Sequence, residues 1–74
     1  MLLTLDVEQE TDGRWMAEIV DLPGVLVYGA TPEAASAAAK ALALRVLADR
    51  IEHGELAPRE LTSVSFVQRE PLAV

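Results

Sequence analysis

The order of secondary structure is readable from residues 12–35, DGRWMAEIVDLPGVLVYGATPEAA. Asp-Gly at its start is a strong hairpin-turn signal, and the alternation of apolar and polar residues over 14–20 predicts a strand after that turn. Residues 21–24, Asp-Leu-Pro-Gly, give a second turn signal, since Pro fixes φ and Gly accepts a positive φ. A third strand is therefore expected over 25–28. Thr-Pro-Glu at 31–33 then predicts the start of a helix, with Thr as N-cap and Pro in the first position.

The flanking sequence supplies the remaining elements. Residues 2–8 alternate between apolar and polar side chains, which predicts a half-buried first strand. The helix is expected over residues 32–53, where Gly54 ends it in the left-handed conformation. Residues 61–67 alternate again and predict a fourth strand. The last residues, 69–74, are expected to be a loose tail.

The order β-β-β-α-β predicts an α+β fold, a two-layer sandwich. The first three strands form an antiparallel meander, and the helix is a right-handed crossover that returns the fourth strand beside the first. The expected sheet order is 3-2-1-4. One helix covers only one face, yet the third strand is apolar on both faces, because Val25 and Val27 alternate with Leu26 and Tyr28. Such a strand is usually covered on both sides, so the second face is expected to meet another subunit or a partner protein.

The length of the chain limits the size of its core. Its 74 residues make a single domain, 1–74, for which we expect a core over 1–68. Domains this small commonly gain stability from disulfides, metal ions or further subunits. The chain has no Cys and one histidine, His53, so disulfides are excluded and a zinc site is not expected. We therefore expect a homo-oligomer, a dimer or a tetramer, without a cofactor.

The net charge of −6 is concentrated near the start of the chain. The first 28 residues contain one base, Arg14, and six acids: Asp6, Glu8, Glu10, Asp12, Glu18 and Asp21. Because acidic surfaces repel phosphate, we expect no direct binding to nucleic acid, and a basic protein is the better partner. The alternative interpretation is that these acids only keep a small protein soluble. The first residues do not resemble a signal peptide, and charges interrupt the helical segment, so a cytoplasmic protein without a membrane span is expected.

The sequence offers no evident catalytic group. There is no Cys to act as a nucleophile, and His53 lies at the predicted helix C-terminus, where the dipole favours a cation. The element order is that of the front half of an RNase H-like fold, in which a carboxylate on the first strand helps to bind metal, and Asp6 holds such a position. Two-metal hydrolysis needs several converging carboxylates, and no acid of the helix is clearly beside Asp6. We expect no enzyme and no metal. A vestigial metal-dependent nuclease that uses Asp6 is the alternative.

Several short motifs follow one another over residues 12–35: Asp-Gly, an aromatic residue, Ala-Glu, Leu-Pro-Gly and Thr-Pro-Glu-Ala. In this order and spacing, and with LADRIEHGE at 47–55, they resemble the HicB-like antitoxins. The resemblance covers roughly residues 1–68. It implies a partial RNase H-like fold, self-association, and binding to a small HicA-type toxin that cleaves mRNA.

Many HicB-like proteins carry a C-terminal DNA-binding domain, a helix-turn-helix or a ribbon-helix-helix. No such segment follows the fourth strand, so transcriptional autoregulation by this chain alone is not expected. The leading hypothesis is an antitoxin of a type II toxin–antitoxin system that neutralises a HicA-type toxin by steric masking. The expected partner-binding residues, acids for a basic surface and apolar anchors, are Asp6, Glu8, Met16, Glu18, Leu26 and Tyr28. The alternative is an orphan oligomeric scaffold or interaction domain with no toxin partner.

Overall fold

The computed structural model describes residues 1–69, which form four strands, one long helix and one turn of 3-10 helix. In chain order these are β1 (Leu2–Gln9), β2 (Trp15–Ile19), β3 (Leu26–Gly29), α1 (Pro32–Glu52), the 3-10 turn (Pro58–Leu61) and β4 (Ser65–Arg69). The sheet order is β3-β2-β1-β4, with β1 antiparallel to β2 and parallel to β4. The predicted α+β fold, with one helix and a four-stranded mixed sheet of order 3-2-1-4, is confirmed.

The two turns of the meander have the backbone that their sequences predict. The glycines of both turns have positive φ, +93° and +90°. In the first turn the Asp12 carboxylate accepts the Arg14 N–H at 3.0 Å. In the second turn Val25 donates its N–H to the carbonyl of Leu22 at 3.1 Å, with Pro second and Gly third in the turn. Local chemistry therefore fixes where β1, β2 and β3 reverse direction.

The helix packs against one face of the sheet through a stripe of small side chains. It begins as predicted, with Thr31 Oγ1 accepting the Ala34 N–H at 3.0 Å, and Gly54 follows its end at a φ of +73°. Its fully buried residues are spaced by four: Ala35, Ala39, Ala43 and Leu47. Alanine at this spacing lets the helix axis approach the sheet closely. From β1, β2 and the turn between β2 and β3, the core receives the buried residues Leu3, Leu5, Val7, Ala17, Ile19, Leu22 and Val25.

β4 begins at Ser65, later than the strand predicted over 61–67. The residues before it form a 3-10 turn because their side chains bond locally. The Glu60 carboxylate accepts the Ala57 N–H at 3.1 Å, and the Thr62 hydroxyl donates to the carbonyl three residues earlier at 2.9 Å. Such bonds compete with strand pairing. At the other end, β4 includes Arg69, the first residue of the predicted tail, and the rest of that tail lies outside the described residues.

Gly29 ends β3 at the point where the chain comes closest to the helix. A Cβ atom at this position would lie 2.6 Å from the Ala35 nitrogen and 3.0 Å from the Ala35 Cα. Both are backbone atoms of the helix, so they cannot move aside as a side chain would. Gly29 is therefore required by this close approach rather than by its φ.

We expect Gly29→Ala to lower the free energy of unfolding by about 1–3 kcal/mol, because the added methyl forces β3 and α1 apart. The shift of the urea unfolding midpoint measures this loss. Ala30→Ser, at the next and exposed position, is the control and should change stability by no more than about 0.5 kcal/mol. An unchanged midpoint for Gly29→Ala would contradict the close packing of strand and helix.

Candidate functional site

The sheet face turned away from α1 has no element of residues 1–69 packed on it, and we refer to it as the open face. It consists of the side chains that alternate with the buried ones along each strand. The strand register brings all six predicted partner-binding residues to this one face: Asp6, Glu8, Met16, Glu18, Leu26 and Tyr28. Period-2 alternation made this placement predictable, since the sequence neighbours of a buried strand residue point to the opposite face of the sheet.

Three rows of side chains cross the open face at right angles to the strands. The charged row runs from β3 to β4 as Leu26, Glu18, Asp6 and Arg69. The aromatic row lies nearer the first hairpin and contains Tyr28, Met16 and Glu8. The apolar row lies on the other side of the charged row and contains Val20, Thr4 and Val67. The six predicted residues thus occupy two of the rows, and the third row is largely uncharged.

An ion pair links Asp6 on β1 to Arg69 on β4 in the charged row. The Arg69 Nε donates to Asp6 Oδ1 at 2.6 Å, and its Nη2 donates to Oδ2. The hydrogen bonds from Arg69 lower the pKa of the Asp6 carboxyl, with a further contribution from its charge and partial opposition from desolvation. The Asp6 carboxylate is therefore engaged within the sheet, whereas the sequence predicted it as a partner-binding acid.

A second cation that the sequence did not single out, Arg14, lies at the edge of the aromatic row. Its guanidinium carbon is 4.3 Å from the centroid of the Tyr28 ring, within cation–π range. Its Nε donates to Asp12 Oδ2 at 2.7 Å. The backbone N–H of Arg14 is the main cause of the lowered pKa of the Asp12 carboxyl. Tyr28 is 45% exposed, so Arg14 orients a ring that remains accessible.

Two acids of the open face form no salt bridge within residues 1–69. Within residues 1–69, the salt bridges join Arg14 to Asp12, His53 to Asp49, and Arg69 to Asp6. None of these includes Glu8 or Glu18. The two glutamates are diagonal neighbours on β1 and β2, about 7–8 Å apart at this spacing. Together with Met16, which is paired with Glu8 in the aromatic row, they form a surface with negative charge and apolar area side by side.

The described part of the chain contains no group of three His, Cys, Asp or Glu side chains that could hold a metal ion. His53, predicted as the last residue of the helix, lies just beyond the helix end, with Nδ1 2.8 Å from the Asp49 carbonyl oxygen. No helix in residues 1–69 is long and apolar enough to cross a bilayer.

No protein-family model, no curated protein and no solved structure matches this chain. The resemblance to HicB-like antitoxins accordingly rests on the motifs and their spacing, chiefly over residues 12–35.

We expect Asp6→Asn to destabilise the protein in a pH-dependent manner. The folded-state pKa of Asp6 is lowered from its usual value of 3.8, so the ion pair contributes stability above that pH and loses it as the pH falls through the lowered pKa. The difference in urea midpoint between wild type and Asp6→Asn should therefore be largest near neutral pH and shrink in acid.

The matched variant is Arg69→Gln, which removes the other partner of the same pair. Because the two side chains share one interaction, the double variant should lose less stability than the sum of the single variants. Strict additivity, or a difference that does not change with pH, would show that the pair does not hold β4 to β1.

Proposed function

We propose that this chain is an antitoxin-like protein that binds and neutralises a HicA-type mRNA-cleaving toxin of a type II toxin–antitoxin system in the cytoplasm. The observation that carries the proposal is the open face, where acids and exposed apolar side chains share one sheet surface. The motif order over residues 12–35 supports it, and so does an element order compatible with a partial RNase H-like fold.

Electrostatic masking is the first part of the proposed mechanism. By resemblance, the toxin is a small basic protein that binds RNA. Its cationic surface would be drawn to Glu8 and Glu18, whose charges are not balanced by any salt bridge within residues 1–69. Complementary charge accelerates encounter and fixes register more than it adds affinity. Once bound, the antitoxin covers the cations that would otherwise contact RNA phosphates.

Apolar anchoring is the second part. Tyr28, Leu26 and Met16 lie on adjacent strands beside the two glutamates. Tyrosine is enriched among residues that dominate binding energy, because its ring buries a large area with little loss of entropy. The contact with Arg14 holds the ring before binding, which lowers the entropic cost of complex formation.

Asp6 has a different role from the one that the sequence predicted. Its charge is balanced by Arg69, so it contributes little to the attraction of a cationic partner. It holds the edge strand β4 in register and thereby completes the open face. The net charge that attracts a partner comes from Glu8 and Glu18.

The proposal is tested by co-expressing this chain with the product of the adjacent reading frame. We expect a small basic protein that arrests growth alone, rescue of growth by this chain, and a stoichiometric complex on purification. Failure to bind and to rescue would overturn the antitoxin function and leave the fold unaffected.

Reversing the free acids with Glu8→Lys and Glu18→Lys should slow association with the toxin by about tenfold or more at low salt and flatten its salt dependence. Stopped-flow fluorescence measures both effects. The control is Glu52→Lys with Glu55→Lys, an equal charge change at exposed positions around the helix end. Equal association rates for the two double variants would place the toxin interface elsewhere.

Removing the proposed anchor with Tyr28→Ala should raise the dissociation constant of the complex by about 10-fold to 100-fold, mainly through faster dissociation. Isothermal titration and surface plasmon resonance report the two quantities. Leu44→Ala, which truncates a side chain that is 49% exposed on the helix, is the control. An unaltered affinity for Tyr28→Ala would remove the ring from the interface.

An oligomeric scaffold without a toxin is the second candidate. The apolar row favours the scaffold, because Val20 and Val67 are exposed on the open face and the row itself contains no acid that would attract a basic toxin. Growth arrest by the neighbouring protein, with rescue by this chain, distinguishes the antitoxin from the scaffold.

A further inference from the structure

β3 is an edge strand, and within residues 1–69 only its β2 side is paired. The Ile19 N–H donates to the carbonyl oxygen of Val25 at 3.0 Å, which fixes the phase of this antiparallel ladder. Because alternate residues of such a ladder bond to the neighbouring strand, Val27 bonds to β2 as well. The N–H and C=O groups of Leu26 and Tyr28 therefore point away from the sheet. We refer to these four backbone groups as the β3 edge.

β3 lacks the features that usually protect an edge strand. Natural edge strands carry charged residues, Pro or a bulge, which hinder pairing with another chain. β3 reads Leu-Val-Tyr-Gly, and its pairing with β2 continues without a bulge. At the opposite edge of the sheet β4 ends in Arg69, and Lys40 of the helix lies 5.8 Å from the centroid of the Phe66 ring. The two edges thus differ, because β3 has no basic side chain of its own.

The apolar core is incomplete beside the β3 edge. Ala17 on β2 is fully buried, whereas Val27, its partner on β3, is only half-buried. Leu42 and Val46 are also half-buried, and they lie on the helix flank opposite Lys40, which reaches towards β4. That flank therefore overhangs the β3 side of the sheet. An extended segment beside β3 would bury alternate side chains between the helix and the sheet.

We propose that the basic partner binds the β3 edge through an extended segment, which adds a further strand to the sheet. The backbone groups of Leu26 and Tyr28 form its hydrogen bonds, as in other cases of strand addition. Alternation then assigns the side chains of the segment: those on the helix side are apolar, and those on the open face are cationic. The inference rests on the proposed function for the source of this segment, which is the toxin.

Glu18 is the reason for cationic side chains on the open-face side of the segment. It is the cross-strand partner of Leu26, so two strand spacings, about 9–10 Å, separate it from an added strand. The long stem of a Lys or Arg can lie along Leu26 and bring its charge to the carboxylate. Arg14, which lies over Tyr28, is already paired with Asp12. A second copy of this chain fits the edge less well, because β3 offers no cation.

Amide hydrogen exchange, followed residue by residue by NMR, tests the proposal. In the complex with the protein of the adjacent reading frame, the Leu26 and Tyr28 amides should exchange at least about tenfold more slowly than in the free chain, since they gain acceptors. The internal control is the opposite edge. The Ser65 N–H bonds to β1, so the amides of Phe66 and Gln68 point outward from β4. Their exchange should not change.

Leu26→Pro removes one N–H of the β3 edge without removing a bond to β2, a position where strands tolerate Pro. Relative to Leu26→Ala, which shortens the side chain alone, it should raise the Kd of the complex by at least about tenfold. The matched pair at the β4 edge, Gln68→Pro and Gln68→Ala, should have equal Kd. Urea midpoints show whether each variant is folded, and amide exchange in the wild type decides the question if Leu26→Pro is not.

A second probe, a short acetylated peptide of alternating Lys and Val at about 1 mM, should slow the exchange of the same two amides. If the adjacent-frame protein binds without protecting Leu26 and Tyr28, the inference is overturned and the antitoxin function stands. If that protein does not bind, the antitoxin function fails, and the peptide alone decides whether the β3 edge accepts a strand. Protection in the free chain that grows with its own concentration would assign the edge to a second copy and overturn the proposal.

Discussion

The close approach of one helix to one face of the sheet is the constraint on which the rest of the structure depends. Alanines spaced by four residues bring the helix axis near the strands, and Gly29 allows the backbone of β3 to meet that of the helix. This packing buries the alternating apolar residues of β1 and β2. With a single helix in residues 1–69, it also leaves the opposite face of the sheet exposed.

That exposure is the reason why we propose the open face as the binding surface of the domain. Its three rows combine exposed aliphatic side chains, an ion pair and two further acids within four strands. Such a mixture suits protein binding better than catalysis, because interfaces combine apolar anchors with charges that set orientation. The proposed toxin would use the charged and aromatic rows of this surface.

Local patterns predicted those elements that local chemistry controls. The two meander turns, the helix N-cap and the glycine after the helix occur where the residue types indicated. The start of β4 was predicted wrongly, because side-chain bonds around Glu60 and Thr62 form a 3-10 turn where alternation alone indicates a strand. The six residues of the predicted site lie on one face of the sheet. Their placement could be predicted because the alternation of side chains along a strand is a local property of the sequence.

Alternation and turn chemistry in the 74 residues were sufficient to specify the four strands and the helix, their order, and the residues that β1, β2 and β3 contribute to the open face. The sheet order followed from treating the helix as a crossover. These local patterns did not specify how β4 is aligned against β1. Asp6 and Arg69 are 63 positions apart, and their pairing depends on a parallel register that no local pattern encodes. The contact between Arg14 and Tyr28 likewise requires β2 and β3 to be paired. Such contacts follow from packing, because only the folded sheet brings distant side chains within bonding distance.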